Sequence, residues 1–183
     1  MELHHALLSR RTIQRFRPGP VEDQVIERAL EAAVSAPNHK ATRPVRFVLP
    51  GALAREVVFR VGLRLKSAKK GTSPELEARV REDLLAPDRL IVVTQVVADD
   101  PNRAEEDYAT CACATYAILL SLHADGVGAK WGTGGITRDP EVLAALGIDA
   151  PRERITAFVW VGWPEIVPTA HLPAIADVVR RVP

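Results

Sequence analysis

The sequence predicts an α+β domain in which a small mixed or antiparallel sheet is flanked by helices. Three short segments, 45–49, 90–97 and 155–161, are rich in the β-branched residues typical of strands. The stretches between them carry the periodic apolar residues and end signals of helices. Strands that are few and separated by helices are typical of the α+β and α/β classes. The whole chain, residues 1–183, has a length that suits a single domain.

The elements can be placed in order along the chain. The segment 90–97 is a continuous apolar run, which predicts a central strand covered on both faces. The segment 126–135 is rich in glycine and is interpreted as a connection. The predicted helices are 2–9, 22–35, two pieces within 53–85 broken around 71–74, 104–125, a short one capped by Asp139, and a helix or arm over 175–181.

The helix over 104–125 is unusual because its segment 109–122 is apolar or small on every face. A helix that is apolar all round must be covered all round, and one sheet covers only one side. We infer that this helix packs both on the sheet and on a second subunit. The alternative is that other helices of the same chain cover it.

Composition and charge argue against a nucleic-acid-binding protein and a membrane protein. The 24 basic and 23 acidic side chains give a formal net charge of +1, whereas nucleic-acid proteins usually carry a clear basic excess. The uncharged segment 109–122 is shorter than the roughly 20 residues that a membrane span needs. The N-terminus lacks the basic and long apolar regions of a signal peptide. We therefore expect a cytoplasmic protein with neither nucleic acid nor membrane as a partner.

Two segments and one histidine are candidates for a binding site. Four arginines lie within residues 10–17, and arginine binds phosphate bidentately without losing its charge. Together with the Thr12 hydroxyl they predict a phosphate cradle, although a solvated basic turn is the alternative. Trp131 lies among glycines and would either back a planar ligand or fill the core. His39 lies in a loop at a helix end, where functional residues are common.

The sequence lacks the motifs of several other chemistries. Its histidines have no metal-ligand spacing, and Cys111 and Cys113 would point to nearly opposite faces of a helix. We therefore predict no metal site. The glycines of 126–132 follow a helix rather than a strand, which argues against a dinucleotide-binding Rossmann loop. No side chain stands out as a proton donor, so no catalytic residue is named.

Three motifs in order resemble the FMN-dependent nitroreductase family, most closely its small single-domain, NAD(P)H-using members. Residues 10–16 read RRTIQRF and are similar to the family pattern RRSxRxF. Residues 36–45 read APNHKATRPV, where small members have APDHKxxxP. Residues 126–134 read GVGAKWGTG and are similar to GLGxxWxxG. The order and spacing match over nearly the whole chain.

The resemblance implies an intertwined homodimer with two FMN sites at its interface. One subunit would contribute residues from the first and third motifs: Arg10, Arg11, Thr12, Gln14, Trp131, Gly132 and Thr133. The other subunit would contribute residues around the second motif: Ser35, Pro37, Asn38 and His39. The segment 121–126 would lie where small members are thought to meet NAD(P)H.

The resemblance also implies a reaction. FMN would take a hydride from NAD(P)H and pass the electrons to a nitroaromatic, quinone or related small acceptor in a ping-pong mechanism. Four residues depart from the family pattern: Gln14 replaces a common basic residue, Ala41 an asparagine, Arg43 a glutamine and Val45 a tryptophan. The departures at Gln14 and Ala41 keep a second hypothesis open, namely a non-catalytic flavin-binding protein for storage or sensing.

Overall fold

In the computed structural model, which describes residues 1–169 and 172–182, five strands form one sheet between two layers of helices. The strands are β1 (Phe16–Arg17), β2 (Val45–Val48), β3 (Arg89–Val96), β4 (Gly128–Gly132) and β5 (Glu153–Pro164). They run in the order β1-β5-β3-β2, and β4 also pairs with β5. All four strand pairings are antiparallel. The predicted α+β class is confirmed, with an antiparallel rather than a mixed sheet.

Several of the helices begin where the sequence offers a capping side chain. The helices are α1 (Leu3–Ser9), α2 (Asp23–Val34), α3 (Ala52–Lys70), α4 (Pro74–Leu85), α5 (Pro101–Ala124), α6 (Pro140–Ala145) and α7 (Ile175–Val178). Ser73 caps α4 by accepting a hydrogen bond from Leu76 N, and Asp139 caps α6 in the same way from Glu141 N. The predicted break around 71–74 and the predicted Asp139 cap are therefore confirmed. Within the described residues, no helix has both the length and the apolarity to cross a bilayer.

The sheet separates two apolar cores. On one face, α2 and α5 pack against residues such as Ile91 and Val159. On the other face, α3, α4 and α6 pack against Val92, Phe158 and Trp160. Strand β3 lies between β5 and β2 and is buried over 90–95, which confirms the prediction of a central strand covered on both faces.

The main differences from the predicted elements concern α5, β5 and β1. Helix α5 begins at Pro101 because Asp100 accepts a hydrogen bond from Asn102 N and proline suits the first helical position. Strand β5 continues through Trp163 and Pro164, where the prediction ended it, because β1 pairs with these two residues. Strand β1 itself is too short to give a sequence signal.

The prediction of a glycine-rich connection over 126–135 is wrong, because Gly128–Gly132 is strand β4. A Cβ atom on Gly132 would lie 2.3 Å from Trp160 Cζ3, and one on Gly128 would lie 2.8 Å from Ile13 Cγ1. The glycines therefore allow a close approach of packed elements rather than a loop. Trp131 consequently lies in a strand instead of on the loop that the sequence suggested.

Helix α5 is largely covered by its own chain. Within 109–122, Ala109, Cys113 and Tyr116 are exposed, and the other residues are buried or half-buried. Cys111 is buried while Cys113 is exposed, so the two thiols point to different faces as predicted. Ala109, Cys113 and Tyr116 form an exposed stripe on α5. The packing of a second subunit on this stripe stays a prediction.

Candidate functional site

The first and third motifs lie side by side. Residues 10–14 leave the end of α1 and run past the beginning of β4, where Ile13 N donates a hydrogen bond to the Ala129 carbonyl oxygen at 3.0 Å. Thr12 and Ala129 form an isolated parallel bridge at the same place. This pairing places Arg10, Arg11 and Thr12 beside Gly128 and Ala129, at the beginning of β4.

Arg10 borders a small cavity of about 200 Å³. Its guanidinium carbon lies 5.8 Å from the centre of the Tyr116 ring, which holds the side chain against α5. The Arg10 Nε atom is buried and has no hydrogen-bond partner among the described residues. A buried donor without a partner costs about 1–3 kcal/mol, so this atom is suited to an external acceptor.

The cavity beside Arg10 is positively charged. Arg11 and His123 also line it, together with the backbone of 126–129. Arg11 turns one guanidinium nitrogen toward the carbonyl oxygens of Leu8 and Arg10, at 2.8 and 2.7 Å. No carboxylate is found among the described residues that line the cavity. The arrangement therefore favours an anion.

Gln14 faces a second and larger cavity, with a volume of about 680 Å³. This volume is in the usual range of ligand sites, about 300–1,000 Å³. The opposite wall is α4, which contributes both acidic and basic side chains: Glu75, Arg79, Glu82 and Asp83. The segment 10–14 thus runs between an anion-binding cavity at Arg10 and a larger cavity at Gln14.

Strand β4 places its side chains on alternate faces of the sheet. Trp131 is half-buried against the core formed by α2 and α5, and its Nε1 atom is buried without a partner in the described part of the chain. Lys130 points the other way and donates to the Asp83 carbonyl oxygen at 3.2 Å. Burial lowers the pKa of Lys130 from its ordinary value. Gly132 ends the strand and Thr133 follows it, exposed.

The second motif forms a strained loop on the first half of α5. Ser35 and His39 are exposed, whereas Asn38 is half-buried and accepts a hydrogen bond from Arg43 N at 2.7 Å. Asn38 Nδ2 also donates to Thr42 Oγ1 at 2.9 Å. The residues with left-handed backbone conformations in this loop are Lys40, Ala41 and Arg43.

Two contacts attach this loop to α5. Thr42 Oγ1 donates to the buried Asp107 carboxylate at 2.5 Å. Thr110 Oγ1 donates to the Pro37 carbonyl oxygen at 3.1 Å. The loop that carries the second group of predicted site residues is therefore positioned by side chains of the helix.

Within one chain, the two groups of predicted site residues lie apart along α5. The loop that contains Asn38 contacts Thr110, whereas Arg10 contacts Tyr116 and shares its cavity with His123. At 1.5 Å of rise per residue, Thr110 and His123 are separated by about 20 Å along the helix axis. The chain alone brings the first and third motifs together and leaves the second at a distance.

The sequence analysis did not single out Ser9 or His123. Ser9 Oγ and His123 Nε2 are hydrogen-bonded at 2.8 Å, although the residues are 114 positions apart in the chain. The one available signal was a histidine in the last turn of the apolar helix, just before a glycine turn. Burial, together with nearby Arg10, His5 and Arg11, lowers the pKa of His123 from its ordinary value.

Comparison with known proteins identifies the family. The model of the nitroreductase family matches residues 7–163, which is most of the chain. The chain belongs to the nitroreductase family. A relative from Bacillus subtilis, YfhC, is named provisionally as an NAD(P)H nitroreductase and is 31% identical over 91% of this chain and 86% of its own length.

Other members of the family show how its fold and its names vary. A nitroreductase-like protein from Desulfovibrio desulfuricans, solved in complex with FMN, superposes with a TM-score of 0.78 at 22% identity and covers 100% of this chain and 98% of its own. A relative from Rhodospirillum rubrum, named 5,6-dimethylbenzimidazole synthase, is 27% identical over 85% of this chain and 78% of its own length. Membership in the family therefore establishes the fold and the oxidoreductase class. The particular reaction has to be inferred from the residues of the site.

Proposed function

We propose that this nitroreductase-family chain is an FMN-dependent oxidoreductase that takes a hydride from NAD(P)H and reduces nitroaromatic, quinone or related acceptors in a ping-pong cycle. One observation carries the proposal. The segment 10–14 lies against β4 between a positively charged cavity and a larger cavity, so a charged end and a bulky end of one ligand could be bound by neighbouring residues.

The residues at the small cavity fit a phosphate group. Arg10 has an unpartnered Nε donor, and no described residue of the lining supplies a competing carboxylate. Thr12 is not among the described residues that line this cavity, but it is exposed in the same segment and pairs with Ala129, which does line it. We assign Arg10, Arg11 and Thr12 to the phosphate of FMN, which the related structure from Desulfovibrio desulfuricans binds.

The residues at the larger cavity fit the flavin ring system less completely. Gln14 offers an uncharged hydrogen-bond donor in this cavity, whereas Trp131 packs on the other face of β4, against the core of α2 and α5. The resemblance to the family is what assigns Trp131, Gly132 and Thr133 to the cofactor. Bound FMN supplies the redox chemistry, because it accepts a hydride and gives up electrons to a second substrate. The chain's own residues would orient the cofactor, and the acidic and basic side chains of the cavity would set the charge around it.

We propose that the second motif completes the site from a second copy of the chain. Ser35, Pro37, Asn38 and His39 are not among the described residues that line the cavity beside Arg10. Thr110, which donates to the Pro37 carbonyl oxygen, lies about 20 Å along α5 from His123, which does line it. The exposed stripe of α5, with Cys113 and Tyr116, is a surface on which a second copy could pack. In such a dimer each FMN would contact both subunits.

The test is a spectrum of the purified protein followed by two anaerobic titrations. We expect a yellow protein that releases FMN on denaturation, is bleached by NADH or NADPH, and is re-oxidised by a nitroaromatic or a quinone. The matched control is Arg10→Ala, which should bind FMN more weakly while keeping the same fold.

The outcomes separate the proposal from its alternatives. A colourless protein that FMN does not saturate would overturn the proposal. A protein that binds FMN tightly but is not bleached by either nicotinamide would instead support the storage or sensing alternative, which the departures at Gln14 and Ala41 motivate. Bleaching without re-oxidation by nitroaromatics or quinones would show that the acceptor belongs to another class.

A further inference from the structure

His123 borders the positively charged cavity and takes no part in the function described so far. We propose that His123 takes up a proton when a phosphate monoester enters the cavity beside Arg10, so that phosphate affinity there rises as the pH falls. The inference rests on the proposed function, since FMN is the expected source of the phosphate. It adds a group that senses pH at the cofactor site.

The geometry places an imidazole among permanent cations. Arg10, Arg11 and His123 line one cavity of about 200 Å³, and the described lining contains no carboxylate to balance them. A phosphate monoester carries a charge of about −1.5 to −2 near pH 7, which is close to the combined charge of Arg10 and Arg11. Protonation of His123 would supply a third positive charge and a charge-assisted hydrogen bond.

Ser9 makes both protonation states of the ring acceptable. Its hydroxyl lies 2.8 Å from His123 Nε2. A hydroxyl both donates and accepts, so Ser9 can donate to a neutral ring nitrogen or accept from a protonated one. The ring can therefore change its charge without losing this partner.

The surroundings of His123 oppose its charge until an anion arrives. Burial lowers its pKa first, followed by the charges of Arg10, His5 and Arg11. The amino-terminal residue Met1 also lines the cavity. The lining from β4 and from the chain after β5 carries no charge among the described residues.

Two features near His123 could favour its protonated form, namely the helix dipole and the Asp125 carboxylate. His123 lies in the last turn of α5, where the helix dipole favours a cation. Asp125 follows two residues later, but its carboxylate is paired with Arg28 at 2.9 Å. The phosphate is thus the group whose arrival would change the charge balance most.

The sign of the effect follows from linkage. In the free protein the lowered pKa leaves His123 neutral at neutral pH. A bound phosphate raises that pKa, so the complex holds more protons than the free protein between the two pKa values. Affinity must then increase as the pH falls through that interval. The phosphate's own second ionisation, near pH 6, works in the opposite sense and is the same for any variant.

The experiment measures FMN dissociation constants for the wild-type protein and His123→Gln at about pH 8 and about pH 6. Glutamine keeps a hydrogen-bonding group but cannot be protonated. Because both proteins share the ionisation of FMN, the ratio of their dissociation constants isolates the histidine. We expect the variant-to-wild-type ratio to grow by about 3- to 10-fold as the pH is lowered. A ratio that stays constant would overturn the proposal.

An NMR titration of the His123 ring in the wild-type protein gives an independent readout. The pKa should rise when FMN is added and stay unchanged with riboflavin, which lacks the phosphate. A rise with both flavins, or with none of FMN, riboflavin and NADPH, would overturn the inference while leaving flavin binding intact. Ser9→Ala should alter the pKa of the free protein, which checks that the Ser9 contact exists in solution.

Two further arms separate the possible sources of phosphate from a failure of the proposed function. If no flavin binds, the proposed function fails, and a titration with inorganic phosphate then decides whether His123 responds to an anion. A pKa that rises with NADPH, but not with FMN or NADH, would support proton uptake and assign the cavity to the nicotinamide's 2′-phosphate.

Discussion

Replacing Thr42 with valine should destabilise the protein through the loop that carries the second motif. Lys40, Ala41 and Arg43 have φ angles of 57°, 51° and 50°, which lie in the left-handed region. Each such residue costs about 1–2 kcal/mol, so the loop conformation opposes folding by about 3–6 kcal/mol. Contacts with the rest of the molecule must compensate for this cost.

The Thr42 hydroxyl provides one of these contacts. It donates to the Asp107 carboxylate, which is 3% exposed and has no other side-chain hydrogen bond among the described residues. Valine has nearly the same shape but no donor, so Asp107 would keep its burial and lose its partner. A hydrogen bond to a charged group contributes about 1.5–3 kcal/mol, and we expect the free energy of unfolding to fall by that amount. The melting temperature should fall by about 3–12 °C.

Urea unfolding of the wild-type protein, Thr42→Val and Thr42→Ser measures the effect. Serine keeps the hydroxyl, so this control should stay within about 0.5 kcal/mol of the wild-type protein. Hydrogen exchange should also quicken for the amides of 38–43 in Thr42→Val alone. If Thr42→Val is as stable as Thr42→Ser, then the contact with Asp107 does not hold the loop.

Three further predictions concern single positions. Arg10→Ala should weaken FMN binding by about 10- to 150-fold, because a hydrogen bond to a charged group is lost. Arg11→Ala should weaken FMN binding less, because the Arg11 side chain also donates to nearby backbone carbonyl oxygens. Equal losses of affinity, measured by fluorescence titration, would contradict this ranking. Ala41→Asn should raise the free energy of unfolding by about 0.5–1 kcal/mol, because asparagine adopts the left-handed conformation more easily, and an unchanged urea midpoint would argue against it. Cys111 should not react with a thiol reagent at about pH 8 until the protein unfolds, because burial raises its pKa to about 12. A thiol titration of the native protein should therefore detect no more than one thiol, that of Cys113.

The sequence predicted correctly the elements that are marked by residues close to them in the chain, such as capping side chains. Ser73 and Asp139 each precede a proline at the start of a helix, and both helices begin there. The β-branched run of β3 likewise needs no tertiary information, because a strand buried on both faces has no polar alternation. These signals lie within a few residues of the structure they predict.

The start of α5 was predicted too late although its Asp100 cap is a local signal. The other errors occurred where the decisive contact is distant in sequence. Glycine at position 132 suggests a loop in the sequence, but the structure packs Trp160 against it within a strand. Strand β1 forms only because β5 continues to Trp163 and Pro164, with which it pairs. Ser9 and His123 have no common motif, and only the packing of α1 against α5 brings them together. The motifs indicated which residues to examine, while their division into two separate groups required the structure.

The length of α5 has a consequence for communication in the proposed dimer. One end of this helix supports the loop that contains Asn38, and the other end supports Arg10 and His123. If those ends serve two different cofactors, then each helix is a rigid connection between them. A shift or rotation of α5 on binding the first FMN would reach the second site, because packed helices move as units. The two cofactors would then bind with unequal affinities, a difference that calorimetry can resolve as two successive binding steps.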